Sequence, residues 1–383
     1  MSISKLGKFI EEYSKKNKTD LDYPVYSVTS RNGFCTEYFN KDVSGEDKTN
    51  YKIVPRGYFA YNPSRINVGS IDWQNCEDNV IVSPLYIVFK CTDELNQDYL
   101  KYFLKSSEGK RLIESKVSGS VRNNLKYKEL SQFEINIVEL AEQKEVVAIL
   151  KRIEAAIDNE KRQIELFDEL IKARFVELFG DPVENPNNLP VASLGELSEL
   201  ITKGASPSWQ GFSYTEDSSQ TLFVTSENVR EGYIDLSSPK YIEDGFNEKQ
   251  KRSVIHKGDF LINIVGASIG RAAQFNLECK ANMNQAAALV RVNDKRVRDK
   301  YLLIYLNSDK AQMMYDSMKS DTGRANLSLQ DIGNLSILLP SIEQQIDFEK
   351  FVEQVDKSKS AAQKRIHVYE ELLEKIMSDY FNC

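Results

Sequence analysis

The chain is written twice. Arg122-Asn123-Asn124-Leu125, followed by Leu140-Ala141-Glu142-Gln143, reappears as Arg324-Ala325-Asn326-Leu327, followed by Ile342-Glu343-Gln344-Gln345, at a constant shift of 202 residues. Tyr99-Leu100 matches Tyr301-Leu302 at the same shift. Gly57 and Asn62 match Gly258 and Asn263 at 201, and Leu6-Gly7 matches Leu194-Gly195 at only 188. Insertions have therefore accumulated toward the front of the second copy. A duplicated module of this kind holds two similar surfaces at a fixed separation, and drift confined to the fronts points to one scaffold carrying two specificities.

A long amphipathic helix is expected after each copy. Between Glu142 and Phe179, Leu150, Ile157, Ile164, Ile171 and Leu178 recur every seven residues, with Val146, Ile153 and Phe167 in the second seam position. In the second copy Val352, Ile366, Leu373 and Tyr380 fill the first seam and Phe348, Val355, Ala362, Tyr369 and Ile376 the other. The registers coincide under the 202 shift, so an antiparallel intramolecular coiled coil is expected, each helix about 38 residues and roughly 57 Å long. Ser341 with Gln344 forms a capping box, and Gly180-Asp181-Pro182 closes the first helix. Glu160 and Lys359 break the seam near the two midpoints, where they can pair with each other or reach solvent.

The regions before the helices read as mixed α and β. Apolar β-rich runs at 80–89, 58–61, 260–265 and 288–292 are bounded by Gly, Pro and Asn, and helical stretches follow at 98–117 and 299–319. The expected organisation is α+β: two tandem mixed domains, 1–140 and 181–340, joined by helices over 141–180 and 341–383 in a pseudo-twofold arrangement. Each front domain should hold a small, twisted, partly barrel-like sheet with helices beside it.

Composition excludes several classes. No apolar run approaches membrane-spanning length and the start has no signal-peptide core, so a cytoplasmic protein is expected. Five scattered cysteines without Cys-x-x-Cys spacing read as free thiols, and two distant histidines give no metal site. No nucleophile elbow, P-loop or dinucleotide fingerprint is present, and Gly266-Ala267-Ser268-Ile269-Gly270-Arg271 reads as a tight turn between strands. A net charge of −7 argues against a protein that simply coats DNA. Residues 1–140, however, hold 20 basic and 19 acidic side chains, so much of the acidity sits elsewhere.

Strand ends carry groups suited to base edges and phosphates, since Arg bonds guanine and Asn or Gln bonds adenine bidentately. Candidates in the first copy are Asn62, Arg65, Asn67, Arg122, Asn123, Asn124 and Lys126. In the second they are Lys203, Asn263, Ser268, Arg271, Asn284, Gln285, Arg324 and Asn326, with Asn282 close by. The Arg122 and Arg324 loops rank first because their pattern occurs in both copies.

On these residues the chain resembles the DNA-specificity subunit of Type I restriction–modification enzymes. The likeness covers essentially the whole chain. It rests on the domain–helix–domain–helix order, on Leu178-Phe179-Gly180-Asp181-Pro182, on Gly258-Asp259-Phe260-Leu261-Ile262 with Gly270-Arg271, on Asn284-Gln285, and on Asn-Leu before a Gln-containing helix start in both copies. The first domain departs with Tyr61-Asn62-Pro63-Ser64-Arg65. The resemblance implies two target-recognition domains reading the parts of a split double-stranded DNA target, while the helices dock two methyltransferase subunits. Those partners would hold S-adenosylmethionine and methylate adenine, and restriction–translocase subunits can join. This chain itself would have no cofactor and no catalysis. On the residues alone, a coiled-coil protein-interaction scaffold without DNA binding stays open as a second class, and an enzyme with an unrecognised site as a third.

Overall fold

The computed structural model describes residues 2–36, 47–117, 124–181, 184–318 and 326–382. Two long helices dominate, Leu140–Phe179 and Ile342–Phe381, each of 40 residues and so roughly 60 Å long. The shift of 202 holds throughout the rear of each copy. Helices Gln97–Lys105 and Ser107–Val117 reappear as Asp299–Leu306 and Asp309–Met318, and strand Glu134–Ile137 as Ser336–Leu338. The stretches expected as single helices at 98–117 and 299–319 are thus each two helices. Serine makes the break. Ser106 Oγ accepts from Gly109 N at 3.1 Å, and Ser308 Oγ from Ala311 N at 3.1 Å, so each side chain caps the restarted helix.

The chain divides into two units, and the division falls inside the long helices, not at their ends. One unit is Met1–Gln163 with Ala361–Cys383, the other Ile164–Ser360. In the first, an antiparallel four-stranded sheet runs in the order Ile10–Tyr13, Ile87–Cys91, Phe59–Tyr61, Ile71–Trp73. In the second the equivalent order is Ser198–Lys203, Ala287–Val292, Phe260–Asn263, Ala272–Gln274. Strand Ser2–Lys5 pairs with Glu134–Ile137 and Val191–Ser193 with Ser336–Leu338, in the same register: Ile3 faces Asn136 and Val191 faces Leu338. The fronts differ. Asn79–Val82 pairs antiparallel with Lys52–Pro55, whereas Ala281–Met283 pairs parallel with Thr221–Val224. The apolar run at 80–89 is two strands, because Tyr86 N closes a turn onto Ser83 O at 3.0 Å around Pro84, which has no amide hydrogen.

Each unit packs its front domain on parts of both long helices. In the first, Val146, Val147 and Leu150 join one core with Phe381, whose ring lies 4.9 Å from Tyr99. In the second, Phe175 and Phe179 share a core with Phe348, Val352 and Val355, and Phe179 lies 5.1 Å from Tyr301. The helix segments run antiparallel in both. Asn136 Nδ2 donates to Tyr380 O while Glu160 meets Arg365, and Phe179 packs on Phe348 while Asp168 meets Lys359.

The seam is uneven. Leu150, Ile153, Ile157, Ile171, Val352, Val355 and Ala362 are buried, whereas Ile164, Phe167, Ile366, Tyr369 and Leu373 are half-buried. Leu150 shares a core with the first front domain, and Ile171, Val352 and Val355 with the second, whereas Ile153, Ile157 and Ala362 are buried outside both cores. The two polar seam residues do not pair with each other. Arg365 grips Glu160 with Nε and Nη2 at 2.7 Å each, and Lys359 reaches Asp168. The guanidinium fork satisfies both carboxylate oxygens, which a single ammonium cannot do, and it holds the Glu160 carboxyl below the usual carboxylate range.

A glutamine locks each front domain to the start of its helix. Gln143 accepts from Asn96 N at 2.9 Å and donates to Glu94 O and Val138 O, each at 2.9 Å. Gln345 accepts from Arg298 N at 2.8 Å and donates to Arg296 O and Pro340 O, each at 2.9 Å. All partners correspond at 202, and both glutamines are fully buried. Replacing either with Ala removes the partner of one N–H and two carbonyls, one of the carbonyls in a buried bond and the other two groups in part-buried ones. At about 1–3 kcal/mol for a buried polar group left unpaired, a loss of roughly 2–4 kcal/mol is expected. Urea unfolding of each variant checks this, and an unchanged midpoint would show that water restores the bonds.

Among the described residues, no helix is long and apolar enough to cross a membrane, and Cys35, Cys76, Cys91 and Cys279 are free thiols.

Candidate nucleic-acid interface

In the second front domain the polar candidates converge at one end of the four-stranded sheet. Lys203, exposed, ends its strand opposite Ala288, and Asn263 ends the strand on the other side of Ala287–Val292, opposite Ala287. The turn that carries Asn284 and Gln285 leads into Ala287 and is fastened on both sides: Asn284 N donates to Val224 O at 3.1 Å, and Ile264 N to Ala286 O at 3.0 Å. Asn326 bridges Val265, and Leu327 N donates to Ile264 O at 2.9 Å. Backbone hydrogen bonds alone therefore bring Lys203, Asn284, Gln285 and Asn326 to one rim. Gln285 and Asn326 are exposed, and Asn284 is half-buried because its Oδ1 accepts from Ala286 N at 3.0 Å.

The loop 264–271 completes this rim. Gly266–Ser268 forms one turn of 3-10 helix between two strands, and Gly270 (φ 90°) turns the chain back. A Cβ at Gly270 would lie 2.5 Å from the Tyr315 ring, so only glycine fits both the angle and the space. Arg271 follows, half-buried, its carbonyl accepting from Asn263 N at 2.9 Å.

Asn263 is a correction to the sequence reading. Its side chain is fully buried and its Nδ2 donates to Ser226 O at 2.9 Å and Ser268 Oγ at 3.1 Å, which fixes the loop. It cannot present an edge to a base, and Ser268 is engaged with it. Asn282 is equally buried, donating to Asn247 Oδ1 at 2.8 Å and accepting from Ser253 Oγ.

The first domain builds its rim from the corresponding loops. Leu125 N donates to Pro63 O at 3.1 Å and Tyr61 Oη to Leu125 O at 3.2 Å, which places Asn124 and Lys126 beside Asn62. Asn62 Oδ1 accepts from Ser64 N at 3.1 Å and Ser64 Oγ at 2.8 Å, a turn-forming role that occupies that oxygen. Arg65 and Asn67 are exposed on the same loop, ahead of Gly69. Lys126 is exposed, with its backbone N–H on Glu129 Oε2 at 2.7 Å. Arg122, Asn123 and Arg324 lie outside the described residues.

Two features escape the sequence reading. At the shift of 188, Lys203 corresponds to Lys15, and Lys15, Lys16 and Lys18 are all exposed around a buried Asn17 whose side chain clamps Leu21 N and O. Behind them Lys52 donates to Tyr86 O at 2.6 Å, and burial holds its ammonium below the usual lysine range. The Lys-Lys-Asn-Lys run is the signal that could have found them. In the second copy the same position continues into Pro207–Gln210, a single helical turn that presents Trp209, 84% exposed. Exposure of a tryptophan has no sequence signature.

The model of the Type I restriction modification DNA specificity domain matches residues 3–166 and again 186–369. The Type I restriction enzyme EcoBI specificity subunit of Escherichia coli is 24% identical over 394 residues, which cover 90% of this chain and 80% of that subunit. A chain from a structure of the type I R-M system, solved to explain its complex assembly and conformational transition, superposes with a TM-score of 0.69 at 17% identity, covering 99% of this chain and 97% of that one. The Type I restriction–modification S subunit from M. genitalium gives 0.53 at 14% identity, covering 100% and 96%. These two likenesses speak for the fold. With the family model filling both front domains and most of both long helices, the chain belongs to the Type I restriction modification DNA specificity family and carries its domain twice.

Proposed function

We propose that this chain is the sequence-reading subunit of a Type I restriction–modification complex, each front domain reading one part of a split target on double-stranded DNA. The observation that carries the reading is the convergence, in both copies, of exposed amide and cationic side chains at one rim of the sheet, held there by backbone hydrogen bonds. Such groups can bond base edges while lysines position phosphates. The chemistry belongs to partners: methyltransferase subunits that hold S-adenosylmethionine and modify adenine, with restriction–translocase subunits joining them in the cytoplasm.

The long helices supply places for two equivalent partners. Leu166 and Leu170 are 52% and 46% exposed on the first, and at the 202 shift Val368 and Leu372 are 57% and 42% exposed on the second. Large apolar groups displayed four residues apart at one helical position, and displayed again at the equivalent position, suit a repeated docking contact.

Mapping methylated adenines in the source genome with and without this chain tests the reading. A bipartite motif should vanish when the chain is removed. In the reconstituted complex, Lys203→Ala should weaken target binding and lower the salt slope by about one. Methylation that persists without the chain, or a complex indifferent to DNA sequence, would overturn the assignment.

A further inference from the structure

Trp209 is the most exposed large apolar side chain among the described residues, and its loop is built to keep it there. Pro207 opens the helical turn and Gly211 (φ 83°) closes it. Lys249 Nζ holds Gln210 O at 2.8 Å, Phe212 N holds Pro207 O at 3.1 Å, and the Phe212 ring packs edge-on against Phe246 at 5.5 Å. At the root of the loop, a Cβ on Gly204 would lie 1.8 Å from Met283 O, so the backbone of 203–205 rests directly on the turn that carries Asn284 and Gln285. The indole thus stands in solvent on a firmly held loop, six residues beyond Lys203, with the Lys249 ammonium bonded to the carbonyl of the next residue. Leaving an indole in water forgoes a large burial energy, and anchored, exposed tryptophans are characteristic of binding hot spots.

We propose that Trp209 is an aromatic anchor through which the second front domain grips its part of the DNA, its ring packing on sugar and base surface next to phosphates met by Lys203 and Lys249. This rests on the function proposed above. DNA is the occupant because the flanking cations suit phosphate and because the loop is continuous with the rim of Lys203, Asn284 and Gln285. An apolar ring adds contact without neutralising a phosphate, so its signature differs from that of a lysine.

The test is anisotropy of a labelled duplex carrying the mapped target, titrated with the complex of this chain and its methyltransferase across a salt series. Trp209→Ala should bind about tenfold to hundredfold more weakly, with an unchanged salt slope and unchanged thermal unfolding, while Trp209→Phe retains most of the affinity. Methylation mapping should show relaxed reading of the second domain's bases and normal reading of the first's. Equal affinity of wild type and Trp209→Ala would overturn the proposal, as would a variant that assembles poorly yet binds DNA normally once assembled, since the indole would then dock protein. A wild-type complex without sequence preference would instead sink the underlying function.

Discussion

Asp259→Ala should destabilise the second unit by about 3 kcal/mol and leave the first unit's transition in place. The Asp259 side chain is only 2% exposed, and its two oxygens accept from Arg291 Nε and Nη2 at 2.7 Å each and from His256 N at 2.7 Å. Removing one partner of a buried pair costs about 3–5 kcal/mol because the other charge stays behind unpaired. The Arg291 side chain is 21% exposed, so water recovers part of the loss and the low end applies. The guanidinium stays charged in the variant, with Glu199 Oε1 at 3.9 Å and Val254 O at 3.3 Å as its remaining partners. Asp259→Asn should fall between, since an amide keeps an acceptor for His256 N and forfeits the charge. Chemical unfolding monitored separately for the two units decides it, and a midpoint within error of wild type would show that the pair is no more than a surface contact.

The same residue shows where a sequence stops being readable. Gly258-Asp259-Phe260-Leu261-Ile262 marks the family by its pattern, yet nothing in the pattern tells that Asp259 is spent on Arg291, 32 positions away. Asn263 and Gln285 look alike as strings, both polar groups beside an apolar run. One is fully buried and the other is exposed, because Asn263 faces the loop that returns from Gly270 while Gln285 sits at a turn's outer edge. Turn-building and base-reading draw on the same amide chemistry, so burial has to separate them. The two long helices are legible to within a residue or two, since heptad periodicity and the 202 shift reinforce each other over Leu140–Phe179 and Ile342–Phe381, whereas the breaks at Ser106 and Ser308 and the short strands Glu134–Ile137 and Ser336–Leu338 carry no period of their own. The fronts are not legible. Short strands such as Ser27–Thr29 and Tyr241–Ile242 are too brief to show a period, and their pairing is set by non-local contacts that differ between copies.

If the helices dock two methyltransferase subunits as proposed, replacing Leu166 and Leu170 with Asp should cost the complex one of them, and replacing Val368 and Leu372 with Asp the other. Each residue is close to half exposed or more in this chain, so an aspartate there stays in water and the chain's own unfolding should change little. In a docked complex the outcome differs. A buried leucine or valine contributes about 1.5–3 kcal/mol, and a carboxylate forced into the same contact must also be desolvated. Together, the two changes in a pair should weaken that contact by at least about a hundredfold, equivalent to roughly 2.7 kcal/mol. Mass measurement on the assembled complex then gives one methyltransferase per chain for either altered pair and none for the chain altered at both. Adenine methylation should fall in step, whereas binding of the target by whatever complex remains should keep its base preference, because the front domains carry no change. Full two-to-one assembly by the fully altered chain would place the docking surface on another face of the helices. Loss of both partners from a single altered pair would mean that the two subunits hold each other, and that the repetition of apolar pairs does not define two separate sites.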